Sequence, residues 1–352
     1  MAASLSTDLL RRLPKAELHC HLDGSIRPAT LLELGSEYGV QMPAADPAEL
    51  GGYMCVDDAR NLDDYLERFA ITLSVLQHAP ALERVAYELM VDAAADGVRY
   101  MEVRYAPVLN AARGLAMSDA VEATLRGIAR AELEHDIVGR VIICAIRNMA
   151  PEMSMEAAEL AVAFRGRGVV GFDIAGGELG NPAALHREAF RHAREHDVAC
   201  TCHAGEGDGS GSVRQAIHVC GAHRIGHGTR LHEDPSLMQY VNDRRVAIEI
   251  CLTSNVQTHA VESYGAHPLR TYFDQGLSVS LNTDNRLMSG VTLTDEYMIA
   301  HRELGFTFDE LARLAVQGFE AAFLPWQERM RMMERVRLEM DTLRRELSGR
   351  NA

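Results

Sequence analysis

Lysine is almost absent from this chain of 352 residues, since Lys15 is the only one and arginine carries the remaining positive charge. Positive charge as a whole is scarce, because 35 Lys and Arg oppose 50 Asp and Glu and leave a formal net charge of −15. Such an excess of negative charge repels nucleic-acid phosphates and anionic membranes. We therefore expect no nucleic-acid or membrane partner, and a small neutral or cationic molecule as the ligand.

Long apolar runs and paired cysteine motifs are also missing. No stretch of about 18 uninterrupted apolar residues occurs, which predicts no membrane span. Residues 1–14 lack the apolar core of a signal peptide. The seven cysteines are odd in number, scattered and without a C-x-x-C motif, which is typical of reduced, buried thiols. The sequence thus predicts a cytoplasmic location.

What the chain does contain is an alternation of short β-branched runs with longer helical segments, the pattern of repeated βα units. Eight strands are predicted, near residues 17–21, 100–104, 138–145, 169–174, 199–203, 224–227, 246–251 and 278–282. Helices are predicted between most of them, for example at 118–135, 154–165, 182–197 and 235–243. Eight such units close naturally into a barrel. We therefore expect an α/β fold, a (β/α)8 TIM barrel, as a single domain over residues 1–352.

Two segments stand outside this alternation. A helical insertion is predicted after the first strand, at about 28–97, and within it apolar residues recur at helical spacing: Leu62, Tyr65, Leu66, Phe69 and Leu73. Core packing is the ordinary interpretation of such a stripe. The alternative is a helical lid at about 46–80, because insertions in the first loop lie at the catalytic face of a barrel. The charged amphipathic segment at about 325–347 predicts a C-terminal outer helix.

Metal-binding and proton-transfer side chains follow four of the predicted strands. His19 and His21 lie on one face of the first strand, because side chains alternate along a strand. His203 and Glu206 follow the fifth strand. The other two positions are His227, after the sixth strand, and Asp284, after the eighth. Each has an ordinary alternative, since polar residues after strands often only form turns or cap helices.

The coincidence of four such strand ends argues against turns alone, because barrel enzymes keep their active sites at the carboxyl ends of the strands. Three histidines and one carboxylate leave one coordination position open for water. That arrangement is typical of a catalytic zinc site and not of a closed structural one. The residues therefore favour a catalytic metal centre at the mouth of the barrel.

Four motifs at these strand ends resemble those of the adenosine deaminase family within the amidohydrolase superfamily. They are residues 19–24 (HCHLDG), 203–206 (HAGE), 224–228 (RIGHG) and 280–285 (SLNTDN). The match is collinear from about residue 13 to residue 323, and residues 101–107 (MEVRYAP) and 172–178 (FDIAGGE) also look similar to the family. Any one motif alone is weak, whereas the four in order are specific.

The resemblance implies a zinc-dependent hydrolytic deaminase of adenosine and 2′-deoxyadenosine, with one zinc ion per chain. The ion is expected on His19, His21, His203 and Asp284, where it lowers the pKa of a bound water to about 7. Glu206 is expected to protonate the purine N1, which requires a raised pKa in a closed pocket. The resemblance places His227 beside the water, where it orients the water or helps to take its proton. The implied catalytic residues are Glu206, His227 and Asp284.

The resemblance also implies substrate-binding residues for a small-molecule purine nucleoside. The backbone of Gly176 is expected to approach N3 of the purine, and Asp23 to bind the hydroxyl end of the ribose. Tyr65 and Phe69 are expected to close over the sugar. Asn285 stands where many members have a second aspartate, and its amide donates a hydrogen bond to N7 without needing protonation.

Two further positions depart from the family pattern. Arg286 stands where proline is common, and Gly177 replaces an acidic residue. These departures leave the hydrolytic residues in place but leave the substrate open. The alternatives are aminodeoxyfutalosine, which changes only the 5′ side, a methylated adenosine nucleotide, and free adenine.

Rivals outside the family are weaker. A two-metal hydrolase with a carbamylated lysine in mid-barrel is excluded, because the single lysine precedes the first histidine pair. The cytidine-deaminase signature of H-x-E and P-C-x-x-C is absent. An inactive barrel that serves as a binding module usually lacks a metal ligand or the acid, and all of them are present here.

Overall fold

Eight parallel strands form one sheet in the order β1 to β8 in the computed structural model, which describes residues 5–350. The predicted (β/α)8 barrel is confirmed, and each strand begins and ends within two residues of its predicted position. The strands are β1 Lys15–His21, β2 Val98–Tyr105, β3 Val138–Ile146, β4 Val169–Ala175, β5 Ala199–Ala204, β6 Arg224–His227, β7 Ala247–Ile250 and β8 Val279–Leu281.

The seam between β8 and β1 closes the barrel just beyond the end of β8. Cys20 and Asp284 form an isolated parallel bridge there. The His21 amide donates to the Asp284 carbonyl at 2.7 Å, and the Asp284 amide donates to the His19 carbonyl at 3.0 Å. The residues that complete the sheet are therefore those that the sequence predicts as metal ligands.

Helices cover the outside of the sheet. They are α1 Thr7–Arg12, α2 Pro28–Tyr38, α3 Pro47–Met54, α4 Leu62–Glu67, α5 Phe69–Val75, α6 Ala79–Ala95, α7 Met117–Glu134, α8 Pro151–Ala163, α9 Arg187–Glu195, α10 Ser210–His218, α11 Pro235–Asp243, α12 Leu252–Gln257, α13 Leu269–Asp274, α14 Leu293–Leu304, α15 Phe308–Ala321 and α16 Trp326–Arg350. Short 3-10 helices occur at Pro107–Asn110, Ala183–His186, Leu231–Glu233 and Tyr264–Ala266. None of the helices in residues 5–350 combines the length and the apolar character needed to cross a membrane.

Local sequence explains where several helices begin. Thr292 and Thr307 each cap a helix and receive the amide of the third helical residue, whose side chain bonds back to the cap. Such reciprocal pairs satisfy two amides that a helix start otherwise leaves free. Lys15 caps the C-terminal end of α1, since its buried Nζ donates to the Leu10 and Leu13 carbonyls at 2.8 and 2.9 Å.

The insertion after β1 consists of α2 to α6. The stripe at 61–77 forms two short helices, α4 and α5, which are separated at Arg68 where one continuous helix is suggested by the spacing. Tyr65 is 1% exposed and belongs to the hydrophobic core, against which the half-buried Phe69 packs. At the other end of the chain, α16 buries an apolar stripe made of Met333, Val336, Met340 and Leu343.

The interior of the barrel contains a set of paired charges, here called the interior ion network: Glu102, Arg104, Asp173, Arg224 and Glu249. All five side chains are 2% exposed or less. Arg104 binds Asp173 and Glu249, each at 2.8 Å, and Arg224 binds Glu249 at 2.6 Å and also contacts Glu102. Because buried charges are costly unless paired, this network is stable only as a complete set.

Candidate active site

A cavity of about 500 Å³ opens at the carboxyl ends of the strands. Side chains from the strand ends form its floor, and apolar side chains of α4 and α5 form one wall. Every predicted site residue except His19 lines it: His21, Asp23, Tyr65, Phe69, Gly176, His203, Glu206, His227, Asp284 and Asn285. His19 lies directly beneath, with no exposed surface.

Four predicted metal ligands converge in this cavity. Ligand atoms of His19, His21, His203 and Asp284 all lie within 4.8 Å of one another. The Nε2 atoms of His21 and His203 are 3.2 Å apart, and Asp284 Oδ1 lies 3.3 Å from His19 Nε2 and 3.5 Å from His21 Nε2. His19 Nε2 is buried and has no hydrogen-bond partner among the described residues. Three imidazoles and one carboxylate at this spacing fit a zinc ion.

Two carboxylates of the interior ion network orient these imidazoles. Glu249 Oε2 lies 2.9 Å from His19 Nδ1, and an Asp173 oxygen lies 3.0 Å from His203 Nδ1. Arg104 binds both carboxylates. Burial raises the pKa of Asp173, but the neighbouring His203 and Arg104 together lower it below its ordinary value. Because each Nδ1 is held from below, each Nε2 is turned toward the cavity, as in metal sites supported by carboxylates.

A close backbone approach makes room for the buried imidazole. A Cβ atom at Gly226 would lie 2.9 Å from His19 Cε1, a separation that real side chains essentially never show. Gly226 belongs to β6, next to His227. The glycine before His227 therefore has a packing reason: the ring of His19 occupies the space of a side chain.

Glu206 is the second buried carboxylate of the cavity. It is 6% exposed, and its Oε1 has no hydrogen-bond partner among the described residues. Burial raises the pKa of Glu206 well above its ordinary value, and the charges of Asp284 and Glu178 raise it further. Its Oε2 lies 3.4 Å from His227 Nε2. Such a setting favours the protonated carboxyl, which can donate a proton.

Glu178 fixes the turn that carries Glu206. Its Oε1 accepts the Gly205 amide at 2.7 Å, and its Oε2 accepts the amides of Glu206, Gly207 and Asp208 at 2.9, 2.7 and 3.2 Å. Four amides on one buried carboxylate leave the turn little freedom. The sequence marks Glu178 only as part of the FDIAGGE stretch and gives no sign of this role.

His227 and Asp284 are held in the left-handed backbone region. Their φ angles are 64° and 60°, which are uncommon for residues with a side chain and concentrate at functional sites. Residues of α12 support both side chains. Ser254 Oγ donates to Asp284 Oδ2 at 2.6 Å, and Asn255 Nδ2 lies 2.9 Å from His227 Nδ1.

The predicted substrate-binding residues lie around the rim of the cavity. Asp23 is 6% exposed with an unpartnered Oδ1, and burial raises the pKa of its carboxyl to about 7. Asn285 is 2% exposed, and its Oδ1 has no partner among the described residues. Gly176 has a φ of 100°, a conformation that favours glycine, and it lines the cavity. Tyr65 donates to or accepts from Ser289 at 3.0 Å, which ties α4 to the segment after β8.

The two departures from the family pattern have local structural partners. Arg286 donates to Glu17 Oε2 at 2.5 Å and lies 3.7 Å from Asp96, on the outer side of β1. Gly177 lies under α4, where an added Cβ would be 2.6 Å from Asp63 Oδ1. An acidic side chain at 177 would therefore meet a second carboxylate.

Sequence reasoning missed the residues that support the site. These are Asp173, Glu178, Glu249, Ser254, Asn255 and His267. A usable signal exists for Glu249, because it is a charged residue in the middle of the apolar run 246–251. The same signal applies to Glu102 and Arg104 in the run 100–105. No such signal marks Asn255 or His267.

The fold agrees with the comparisons to known proteins. The family model described as adenosine deaminase matches residues 14–339. The chain is 44% identical over 321 residues to a probable adenosine deaminase of Dictyostelium discoideum, in a match that covers 91% of this chain and 42% of that protein's length. It is 42% identical over 354 residues to an adenosine deaminase of Mycobacteroides abscessus, covering 96% of this chain and 97% of that one.

A solved structure extends this agreement to three dimensions. The adenine deaminase of Arthrobacter aurescens has a TM-score of 0.87 over 93% of this chain and 99% of its own, at 26% identity. The relatives thus include proteins named for two different 6-aminopurines. The chain belongs to the adenosine deaminase family, whose members are hydrolytic deaminases that act on C–N bonds.

Proposed function

We propose that this protein is a zinc-dependent deaminase that converts adenosine and 2′-deoxyadenosine, with water, to inosine and 2′-deoxyinosine plus ammonia. One observation carries the proposal. A single cavity holds a three-histidine, one-aspartate set within 4.8 Å and, against it, a buried glutamate whose Oε1 is unpartnered among the described residues. This combination supports hydrolysis at a carbon next to a basic ring nitrogen.

The ligand set proposed for one zinc ion per chain is His19, His21, His203 and Asp284. A zinc ion bound there supplies Lewis acidity that lowers the pKa of a water molecule to about 7. Glu249 and Asp173 keep the histidines in position, and Ser254 holds the Asp284 oxygen that does not face His19. Asp284 also keeps a carboxylate charge beside the attacking water.

Glu206 is proposed as the general acid. Its raised pKa favours the protonated carboxyl, which can give its proton to N1 of the purine as water attacks C6. The resulting carboxylate is then available to carry a proton to the departing ammonia. His227 lies 3.4 Å from this carboxyl and is proposed to orient the water.

Recognition of the nucleoside is proposed to come from the rim. The backbone of Gly176 approaches N3, the Asn285 amide donates to N7, and Asp23 accepts a hydrogen bond from a ribose hydroxyl. Tyr65 and Phe69 belong to α4 and α5, which we propose as the lid over the sugar within the region 46–80. The unpartnered Oδ1 of Asp23 supports the ribose contact, because buried polar atoms without partners are rare in folded proteins.

The charge of the cavity favours a nucleoside over a nucleotide. Among the described residues that line it are four acidic side chains, namely Asp23, Glu67, Glu206 and Asp284, and neither lysine nor arginine. Because burial raises the pKa of Asp23 and Glu206, a phosphate is disfavoured by the lack of cationic side chains among these described residues. A 5′-phosphate dianion in this environment would lack a cationic partner, whereas phosphate sites commonly use Arg or Lys.

The test is ammonia release by the zinc-loaded protein with adenosine, 2′-deoxyadenosine, adenine, N6-methyl-AMP and aminodeoxyfutalosine in parallel. The proposal predicts the highest kcat/KM for the first two substrates. A clear preference for aminodeoxyfutalosine or adenine would keep the chemistry and overturn the substrate assignment. Absence of release from every compound by zinc-loaded protein would contradict the proposed reaction on a purine.

A further inference from the structure

A chain of hydrogen bonds runs from the backbone of α13 through two buried side chains to His227. Asn255 has no exposed surface and His267 is 3% exposed, and neither lines the cavity. The Leu269 amide donates to His267 Nδ1 at 3.1 Å. His267 Nε2 lies 3.2 Å from Asn255 Oδ1, and Asn255 Nδ2 lies 2.9 Å from His227 Nδ1. The backbone amide at one end of this chain of hydrogen bonds determines which atom donates in each of them.

The fixed end is the Leu269 amide, which can only donate. His267 Nδ1 must therefore accept, and a neutral imidazole that accepts at Nδ1 carries its proton on Nε2. A doubly protonated His267 would set two N–H groups against each other at Nδ1. Burial also lowers the pKa of His267 to about 3, which agrees with the neutral ring. His267 thus presents an N–H group to Asn255.

This donor fixes the orientation of the Asn255 amide. The atom of Asn255 that faces His267 Nε2–H must be the acceptor, Oδ1, because the NH2 group there would oppose another donor. The NH2 group then faces His227 Nδ1. The orientation of a buried amide, which is otherwise ambiguous, follows here from a backbone N–H two steps away.

The orientation of the Asn255 amide permits only one neutral tautomer of His227. Since Asn255 Nδ2 donates to His227 Nδ1, this nitrogen accepts, and the proton of His227 resides on Nε2. Nε2 is the atom that lies 3.4 Å from Glu206 Oε2 at the edge of the cavity. We propose that Leu269, His267 and Asn255 form a relay that locks His227 as the Nε2–H tautomer, so that His227 is a hydrogen-bond donor in the cavity and not a general base.

The proposal deepens the proposed function, on which it rests for the part that His227 plays with water. Sequence resemblance leaves open whether His227 orients the water or takes its proton. A locked Nε2–H has no free lone pair on the cavity side, and protonation at Nδ1 would break the bond from Asn255. His227 therefore orients the water or the developing oxyanion by donation. The proton released by the water must go to a carboxylate, and Glu206 and Asp284 are the carboxylates that face His227 within 4.8 Å.

Asn255 and His267 are positioning residues in this account, and the direct test reads the tautomer itself. Nitrogen NMR of zinc-loaded protein labelled with 15N-histidine distinguishes protonated from unprotonated ring nitrogens. The resonances of His227 are assigned by their loss in His227→Gln. We expect Nε2 of His227 to be protonated and Nδ1 unprotonated at neutral pH. A protonated Nδ1, in either the neutral or the charged ring, would overturn the relay.

The variant Asn255→Asp reverses the direction of the last bond with almost no change in shape. A carboxylate accepts from both His267 Nε2–H and His227 Nδ1–H, so the proton of His227 moves to Nδ1. We expect the NMR pattern of His227 to invert, and kcat to fall by about 10²- to 10⁴-fold, the range for a misplaced proton-handling group. KM and zinc content should change by less than about threefold, because a tautomer change alters a transition-state contact and not ground-state binding. An unchanged NMR pattern and unchanged kcat in this folded variant would overturn the relay.

Two variants of His267, at the end of the relay away from the cavity, distinguish a positioning role from a general effect on stability. His267→Gln keeps an amide N–H donor at the place of Nε2 and should retain most of the kcat, whereas His267→Leu removes the donor and should lose about as much as Asn255→Asp. His223→Gln is the matched control, because His223 Nδ1 also accepts a backbone amide, that of Cys200 at 2.9 Å, but before β6 and outside the cavity. Equal losses of kcat in all three variants would indicate structural damage and overturn the relay.

The relay and the proposed function can fail separately. If wild-type protein deaminates no purine while His227 still shows the expected tautomer, the proposed function fails and the relay stands.

Discussion

The mouth of the barrel leaves more buried polar atoms without hydrogen-bond partners than the interior does. Among the described residues, Arg104 Nε is the one such atom in the interior ion network. In the interior ion network, Glu249 alone accepts from His19, Arg104, Thr201 and Arg224, at 2.6 to 3.0 Å. At the mouth, buried atoms of four side chains have no partner among the described residues: His19 Nε2, Asp23 Oδ1, Glu206 Oε1 and Asn285 Oδ1. The two regions are only one side chain apart, since His19 bonds the network through Nδ1 and faces the cavity through Nε2.

This difference distinguishes residues that position the site from residues that contact the ligand. A buried polar atom without a partner costs about 1–3 kcal/mol, so a cluster of them is unfavourable unless a ligand completes it. Glu249 keeps His19 Nε2 in a fixed position before any ligand binds, and Glu178 fixes the turn that carries Glu206. Preorganised groups of this kind avoid the cost of reorientation during a reaction. Changes at the mouth should therefore alter activity, and changes in the interior should alter stability or metal affinity.

The largest effect is expected at the mouth, from Glu206→Gln. This change removes the acidic proton but keeps the size of the side chain, so kcat should fall by about 10²- to 10⁴-fold or below detection. Zinc content and the urea midpoint of unfolding should stay near wild type. Measurement requires ammonia release and metal analysis on the same preparation. A near-normal rate would remove Glu206 from its role as the acid.

In the interior, Glu249→Gln should lower the free energy of unfolding. It removes the negative charge shared by Arg104 and Arg224, which breaks a buried ion pair and costs about 3–5 kcal/mol. Urea unfolding measures the change. Glu346→Gln is the matched control, because its pair with Arg12 is about two-fifths exposed and such pairs contribute about 0–1 kcal/mol. Similar losses for both variants would contradict the contrast between buried and exposed pairs.

The strands, their order and the residues at their ends could all be predicted from the sequence, because each depends on a pattern within a few neighbouring residues. Alternation places His19 and His21 on one face of a strand, and the motif RIGHG marks His227 at the end of another. The supporting contacts could not be predicted in this way. Asn255 reaches His227 and Glu178 reaches Gly205 only after separate strands have closed into a barrel.

Helix boundaries show the same limit. The apolar spacing at 61–77 suggests one helix, whereas the structure has α4 and α5 with a break at Arg68. The segment 182–197 begins as a 3-10 helix before α9. Periodicity reports which face is buried, and tertiary packing decides where a helix breaks. The roles of Tyr65 and Phe69 as a lid remain a prediction for this reason.

A smaller effect on the reaction is expected where the two regions meet, from Asp173→Asn. The change also breaks the buried pair with Arg104 and should therefore lower the urea midpoint of unfolding. Asp173 supports His203 Nδ1, and loss of such a carboxylate partner typically lowers metal affinity by about 10- to 100-fold. Competition with a chromogenic chelator gives the zinc Kd, and excess zinc should restore most of the kcat. Unchanged zinc affinity would show that His203 binds zinc equally well without the hydrogen bond from its Nδ1 to Asp173.

The smallest effect is expected from Ser254→Ala. The change removes one hydrogen bond, 2.6 Å long, to Asp284 Oδ2 and leaves the carboxylate in place. One such bond corresponds to about 1.4 kcal/mol, so kcat/KM should fall by about tenfold. The steady-state rate at saturating zinc measures this. A loss as large as that of Glu206→Gln would mean that Ser254 takes part in the reaction itself.

The most direct test of the central claim is a zinc titration of metal-free protein, with deamination of adenosine followed at each addition. The account predicts that inosine formation rises in proportion to bound zinc and reaches its plateau at one ion per chain. Full activity of the metal-free protein, a plateau at two ions, or no inosine from protein with one ion bound would each contradict it.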